Sequence, residues 1–302
     1  MNRQPEPDEV EEIIRGAAAY MKEAAATAEI AFFGGSFTAI DKGYMVSLLK
    51  KAHEAVERYG FHGVRISTRP DKIDDEVLIL LKAYSVTSIE LGAQSMSDRV
   101  LEANERGHSA QSVRTAAALI KEYGFELGVQ MMTGLYQSSP EADMVTAQEL
   151  IKLSPDTVRI YPTVTLENTR LCDLYQAGEY TPPGLDETVE LCARLISLFE
   201  NQGIKVIRAG LHASEEISGN RVAGPYHPAF RELCMSRMFF NELKSLLDGL
   251  PGGTYEIRVH PRLVSAVTGQ KRSNITAFEK LGYRLKLVQS TEENRFSLGG
   301  RL

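Results

Sequence analysis

Ala31-Phe32-Phe33-Gly34-Gly35-Ser36-Phe37-Thr38 runs from an apolar segment straight into two glycines and two hydroxyl residues. The segment 29–33 has the length and character of a short strand. Glycines at its C-terminal end let backbone carbonyl and amide groups come close to a ligand. A simple strand-to-helix turn would use a lone Gly-Gly equally well, so the meaning of this stretch depends on what repeats around it.

Working outward, the same rhythm recurs. Strands are expected at 63–68, 87–91, 126–132, 157–161 and 205–208, with amphipathic helices at 44–59, 110–123, 142–153 and 187–202. A first helix over 8–26 takes Asp8 as N-cap and Glu11, three residues on, as its capping-box partner. Alternation of this kind demands parallel strands joined by crossover helices, because parallel neighbours cannot be linked by a tight turn. The strands are mostly apolar, as expected when both sheet faces are covered. A closed barrel, a partial barrel and a doubly wound sheet all fit the pattern, and each places its site at the C-terminal strand ends. After residue 212 the rhythm breaks. A Gly- and Pro-containing loop is expected at 218–228, then a long helix (228–247), a strand (254–260), a helix (273–281) and a final hairpin-like stretch. The expected division is therefore a core over 1–212 and an α+β region over 213–302.

Composition narrows the classes. The chain has 302 residues and a net charge of −6, so its long-range field does not favour nonspecific capture of a polyanion. No apolar run has the length of a bilayer span, and 1–12 is polar and acidic, unlike a signal peptide; a cytoplasmic protein is expected. Cys172, Cys192 and Cys234 are the only cysteines, and their spacing matches no zinc or iron–sulfur ligand set. Cys192 and Cys234 fall in helix-periodic apolar segments and read as core residues.

The other strand ends carry polar residues in series: Arg65-Ile66-Ser67-Thr68-Arg69-Pro70-Asp71, then Glu90-Leu91-Gly92-Ala93-Gln94-Ser95 followed by Arg106-Gly107-His108. Gln130-Met131-Met132-Thr133-Gly134-Leu135 and Arg159-Ile160-Tyr161-Pro162-Thr163 complete the set. Arg69 and Asp71 invite pairing with each other, and His108 alone reads as structural. Arg159 lies inside an apolar strand and needs a partner, since an unpaired buried charge is very costly. No Walker loop, Ser-His-Asp order or metal-ligand helix occurs.

Taken in order from Asp8 to Arg208, these five motifs resemble the radical SAM superfamily, in particular the radical SAM half of the elongator catalytic subunit. Oxygen-independent coproporphyrinogen oxidase is a more distant likeness. The resemblance implies a partial (β/α) TIM-like barrel, an α/β fold, here lacking its first strand and followed by a small C-terminal α+β appendix. It implies S-adenosylmethionine as cofactor. Gly34, Gly35 and Ser36 would receive the amino group of its methionine moiety, Gln94 and Ser95 would lie beside the ribose, and Arg106 would pair with the carboxylate, which suits a guanidinium. Ser67 stands where relatives often carry glutamate, and Gln130 where some have aspartate near the ribose. Arg159 and Tyr161 would line the barrel floor. It further implies tRNA as a partner and a reductase, flavodoxin or ferredoxin as electron donor.

The superfamily's radical chemistry uses a four-iron four-sulfur cluster held by three cysteines, usually Cys-x-x-x-Cys-x-x-Cys, on a loop after the first strand. Nothing in the sequence resembles that loop. The expectation is a chain that has lost its first strand and cluster loop and is inactive as written, the alternative being a noncatalytic module that keeps the S-adenosylmethionine pocket. The appendix is too short to contain the acetyltransferase domain of the elongator relatives.

Overall fold

The computed structural model describes residues 4–212, 215–292 and 295–302. Its organising element is a six-stranded sheet ordered β1-β2-β3-β4-β5-β6. The strands are β1 (Glu29–Phe32), β2 (Gly63–Thr68), β3 (Val86–Gln94), β4 (Glu126–Thr133), β5 (Thr157–Pro162) and β6 (Lys205–Ala209). Strand order therefore follows chain order, and the β1/β2, β2/β3 and β3/β4 pairs run parallel. The sheet curls into a half-barrel, the α/β architecture expected from the sequence.

Helix α1 (Pro7–Met21) precedes β1, separated from it by a 3-10 segment at Lys22–Thr27. The cap differs from the expected one. Glu6, not Asp8, is the N-cap, because Pro7 at the first helical position has its φ already set for a helix and needs no N–H there. Glu9 Oε2 accepts from the Glu6 N–H at 2.7 Å. The crossovers are α2 (Lys42–Tyr59), α3 (Asp75–Ala83), then α4 (Asp98–Ala103) with α5 (Ala110–Glu122), and α6 (Pro140–Lys152). Asp41, Asp74, Ser109 and Ser139 cap α2, α3, α5 and α6 with side-chain oxygens.

Side chains alternate across each strand. One face carries Val64, Ile66, Ile89, Leu91, Leu127, Val129, Val158 and Ile160, all at most 1% exposed. Buried residues of the helices, such as Leu49, Leu81, Ile120 and Leu150, belong to the same core. The opposite, concave face carries Glu29, Arg65, Ser67, Ser88, Glu90, Glu126, Gln130 and Arg159. Periodicity thus does two things at once: it anchors the sheet and lines a cleft with polar groups.

The chain divides into two compact units, Met1–Tyr161 with Phe199–Ile207, and Pro162–Leu198 with Arg208–Leu302. The second contains α7 (Arg170–Gln176), all but the last two residues of α8 (Leu185–Glu200), α9 (Glu215–Asn220), α10 (Phe230–Leu247), α11 (Val264–Thr268) and α12 (Ser273–Lys280). The expected loop at 218–228 is partly ordered. It begins within α9, and Arg221–Ala223 then pairs antiparallel with Thr165–Leu166. The expected terminal hairpin is also corrected. β7 (Gly253–Val259) lies between β8 (Tyr283–Gln289), parallel to it, and β9 (Phe296–Arg301), antiparallel to it. α12 forms the crossover that a parallel pair requires. Phe239, Leu243, Leu247, Tyr255, Ile257, Val259, Val267 and Phe278 form the core of this region.

Candidate active site at the strand ends

Three strand-end segments of the first unit are stitched together. Gly34 and Gly35 take φ of 100° and 146°, a region where an L side chain is strained. A Cβ built on either would meet no protein atom within 4 Å, so both face open space. Ser36 Oγ accepts from the Arg69 N–H at 3.0 Å, and Thr38 Oγ1 meets Thr68 Oγ1 at 2.6 Å. The Gly-Gly turn after β1 is thereby fixed to the end of β2. Arg69 in turn pairs with Asp71 through both Nε (2.8 Å) and Nη2 (3.0 Å), and Nη2 also donates to the Gly107 carbonyl. The expected Arg69–Asp71 pair is present, and it ties the 106–108 turn to the same site.

That turn holds two buried polar atoms without a hydrogen-bond partner, Arg106 Nε and His108 Nδ1. His108 Nε2 lies 3.1 Å from the Ala93 carbonyl, which can only accept, so Nε2 donates to it. Burial, and next the positive charge of Arg69, pull the Arg106 pKa below its ordinary value. An under-neutralised guanidinium with a free donor calls for an anion that accepts from it.

The candidate residues separate into groups. Phe33, Gly34, Gly35, Ser36 and Ser67 line one cavity of about 130 Å³. Gln130 reaches Ser67, Nε2 donating to its Oγ at 3.1 Å and to Glu90 Oε2 at 2.8 Å. Gln94 takes φ 63° at the end of β3 and is mostly buried. Ser95 is buried deeper, with Oγ on Thr146 Oγ1 (3.3 Å) and accepting from the Ser97 N–H (3.2 Å).

On the concave face, charges pair across strands. Arg159 grips Glu90 bidentately, Nε to Oε2 at 2.6 Å and Nη2 to Oε1 at 3.0 Å. Arg65 donates to Glu29 (2.6 Å) and Glu126 (2.9 Å) and lies 3.5 Å from Glu90. Burial would raise the Glu29 pKa, but the Ser88 and Arg65 hydrogen bonds outweigh it and hold the carboxyl below its usual range. Glu90 is only 1% exposed. Room for it exists because β4 carries Gly128, where a Cβ would come within 2.6 Å of Glu90 Cγ. Arg159 thus has the partner its sequence position demanded. Glu29, Glu90 and Glu126, to which the sequence assigned no role, alternate with the buried apolar residues of their own strands as Arg65 and Arg159 do, and that alternation was the available signal.

The Radical SAM superfamily model matches residues 1–149, and the Radical SAM C-terminal domain model matches 155–239. Together they take in more than three quarters of the chain. The chain belongs to the radical SAM superfamily. Among curated relatives, a tRNA uridine(34) acetyltransferase of Dehalococcoides mccartyi is 29% identical over 174 residues, covering 51% of this chain and 38% of that protein. Human elongator complex protein 3 is 26% identical over 230 residues, covering 70% of this chain and 41% of that protein. The chain thus spans about two fifths of the curated relatives it matches. An archaeal Methanocaldococcus infernus Elp3 structure with an N-terminal deletion superposes with a TM-score of 0.65 at 23% identity, covering 80% of this chain and 60% of that one, and shows the same fold.

Radical SAM proteins imply two groups, and the residues of this chain fit one of them. Open space at Gly34-Gly35 and the unpartnered Arg106 and His108 atoms suit the α-amino acid end of S-adenosylmethionine, whose ammonium needs acceptors and whose carboxylate needs a cation. The cluster has no such fit. Cys172, Cys192 and Cys234 are all free and buried in the second unit, and the neighbouring Cys192 together with burial pushes the Cys234 thiol pKa up. Among the described residues no group of three His, Cys, Asp or Glu could hold a metal ion.

Proposed function

We propose that this chain is the S-adenosylmethionine-binding core of a radical SAM-type enzyme, with 1–212 as the core and 213–302 as a C-terminal region. The carrying observation is the buried Arg106 Nε without a partner, on a turn tied through Arg69 and Ser36 to the open Gly34-Gly35 backbone. In this reading Arg106 takes the carboxylate, and the backbone and hydroxyl of Gly34, Gly35 and Ser36 take the ammonium. Gln94, Ser95 and Gln130 shape the ribose end, with Ser67 hydrogen-bonded to Gln130 beside it. What these residues do is bind, orient and shield the sulfonium compound, since the cysteines present do not fit a four-iron four-sulfur cluster. That same misfit favours a second reading, a noncatalytic module that retains the S-adenosylmethionine pocket.

The names of the curated relatives make tRNA the substrate class to test first. A cytoplasmic setting is common to both readings, and a reductase, flavodoxin or ferredoxin as electron donor belongs to the enzymatic one alone. Calorimetric titration of the chain with S-adenosylmethionine is the direct test. Saturable binding is expected, weakened at least tenfold in Arg106→Leu; equal affinity of the two proteins would sink the reading.

A further inference from the structure

Phe33 follows β1 directly and is 50% exposed, although it continues the alternation of Glu29 and Ala31 on the concave face. Its ring is not left to move freely. The Arg159 guanidinium carbon lies 4.6 Å from the ring centroid, a cation–π contact, and that guanidinium is itself fixed by its bidentate grip on the buried Glu90. Gln130 braces the same carboxylate. A buried carboxylate therefore holds a guanidinium, and the guanidinium holds a phenyl ring with surface still open to the cavity shared with Gly34, Gly35, Ser36 and Ser67.

Three features point to a ligand on that ring. An aromatic side chain left half in water gives up part of its burial free energy, so a position that keeps it there gains from a partner that covers it. A charge compensated by Glu90 makes Arg159 a poor docking point for an anion, which leaves its orientation to serve the ring. A cation over one face also draws electron density from the ring, so the other face favours stacking with an electron-rich flat arene over a second cation. The surrounding hydroxyl and amide groups of Ser67 and Gln130 suit the polar edges of a heterocycle. We infer that Phe33, backed by Arg159, is a stacking platform for a planar nucleobase ring. The ring could come from S-adenosylmethionine or from a nucleoside of the substrate. The inference rests on the proposed S-adenosylmethionine site for its setting, and adds to it a residue that the cofactor's amino-acid contacts do not involve.

The test titrates the full chain with S-adenosylmethionine, adenosine and uridine 5′-monophosphate by calorimetry, in the wild type, Phe33→Leu, Phe33→Trp and Arg106→Leu. Leucine keeps the apolar bulk but removes the π face, and far-UV circular dichroism checks that the fold is kept. At least a fivefold loss of affinity for one ring-bearing ligand is expected in F33L, recovered in F33W. Loss for S-adenosylmethionine and adenosine assigns the platform to the cofactor's base, and loss for uridine 5′-monophosphate alone assigns it to a substrate base. Equal affinities of F33L and wild type for all three ligands, or a wild type that binds none of them, overturns the inference. The two readings fail separately: a wild type that binds only nucleosides, in a Phe33-dependent way, sinks the cofactor site and keeps the platform. An S-adenosylmethionine affinity sensitive to Arg106 but indifferent to Phe33, with nucleosides equally unaffected, does the reverse.

Discussion

Glu90 shows what a single residue contributes to the concave face. At 1% exposure it compensates Arg159 through two hydrogen bonds and stands 3.5 Å from Arg65. Taking a carboxylate out of water is expensive, and only close pairing offsets the cost. Glu90→Gln keeps the volume but leaves Arg159 without the carboxylate it grips, whereas Arg65 keeps Glu29 and Glu126. A loss of about 3–5 kcal/mol is expected, since breaking one side of a buried pair exposes the penalty of the other; urea unfolding measures it, and a change under 1 kcal/mol would contradict the account. The double variant Glu90→Leu with Arg159→Leu removes both charges and should cost less than E90Q. In the sequence, Arg159 announced that it needed a partner, but the partner's identity was out of reach. Glu90 lies 69 positions away on β3, and only the sheet order β3-β4-β5, with glycine at the intervening 128, brings the two together.

Among the secondary-structure elements, those that were legible are the ones whose burial is one-sided and continuous. β2 was placed to the residue, and α5 and α6 to within two, because apolar periodicity and capping serines mark them. α3 and α4 span only 9 and 6 residues, too short for a periodic signal, and β8 pairs with β7 in a direction that no local pattern encodes. The link between β4 and α6 carries a pH signature. Asp143, in the first turn of α6, is 2% exposed and accepts from the Gly134 N–H (3.0 Å) and the Ser138 hydroxyl (2.6 Å). Burial, outweighing both hydrogen bonds, pushes its pKa up to about 6 from 3.8. The folded state then holds a proton that the unfolded state has released between pH 4 and 6, so stability falls as pH rises through that window and levels off above it. Asp143→Asn removes the window. From pH 4 to 7 the wild type is expected to lose on the order of 3 kcal/mol relative to this variant in urea unfolding. Parallel pH profiles for the two proteins would refute the assignment.

Across the whole molecule, charge is distributed unevenly, and this bears on the partner. The chain carries 34 Lys and Arg against 40 Asp and Glu, yet residues 253–302 hold nine against four. Nearly all the cationic excess available to a polyanion therefore sits in the last fifty residues, while the rest of the chain repels it. Arg284 and Lys286 of β8 are exposed, and they alternate with Leu285 and Leu287, which pack on the core. If tRNA is the substrate, its phosphates meet a local basic surface against an unfavourable overall field, and affinity must depend steeply on ionic strength. Binding of unmodified tRNA is expected to be weak at 0.15 M salt, with Kd of roughly 10 µM or more, and to tighten as salt is lowered. Filter binding across a salt series checks this. The double variant Arg284→Glu with Lys286→Glu should lower the log–log salt slope by about 2 and weaken binding at low salt, because counterion release counts neutralised phosphates. Tight, salt-independent binding, or a double variant with an unchanged slope, would mean that RNA contacts this protein elsewhere, and would shift the search for its nucleic-acid surface to the concave face that holds Phe33.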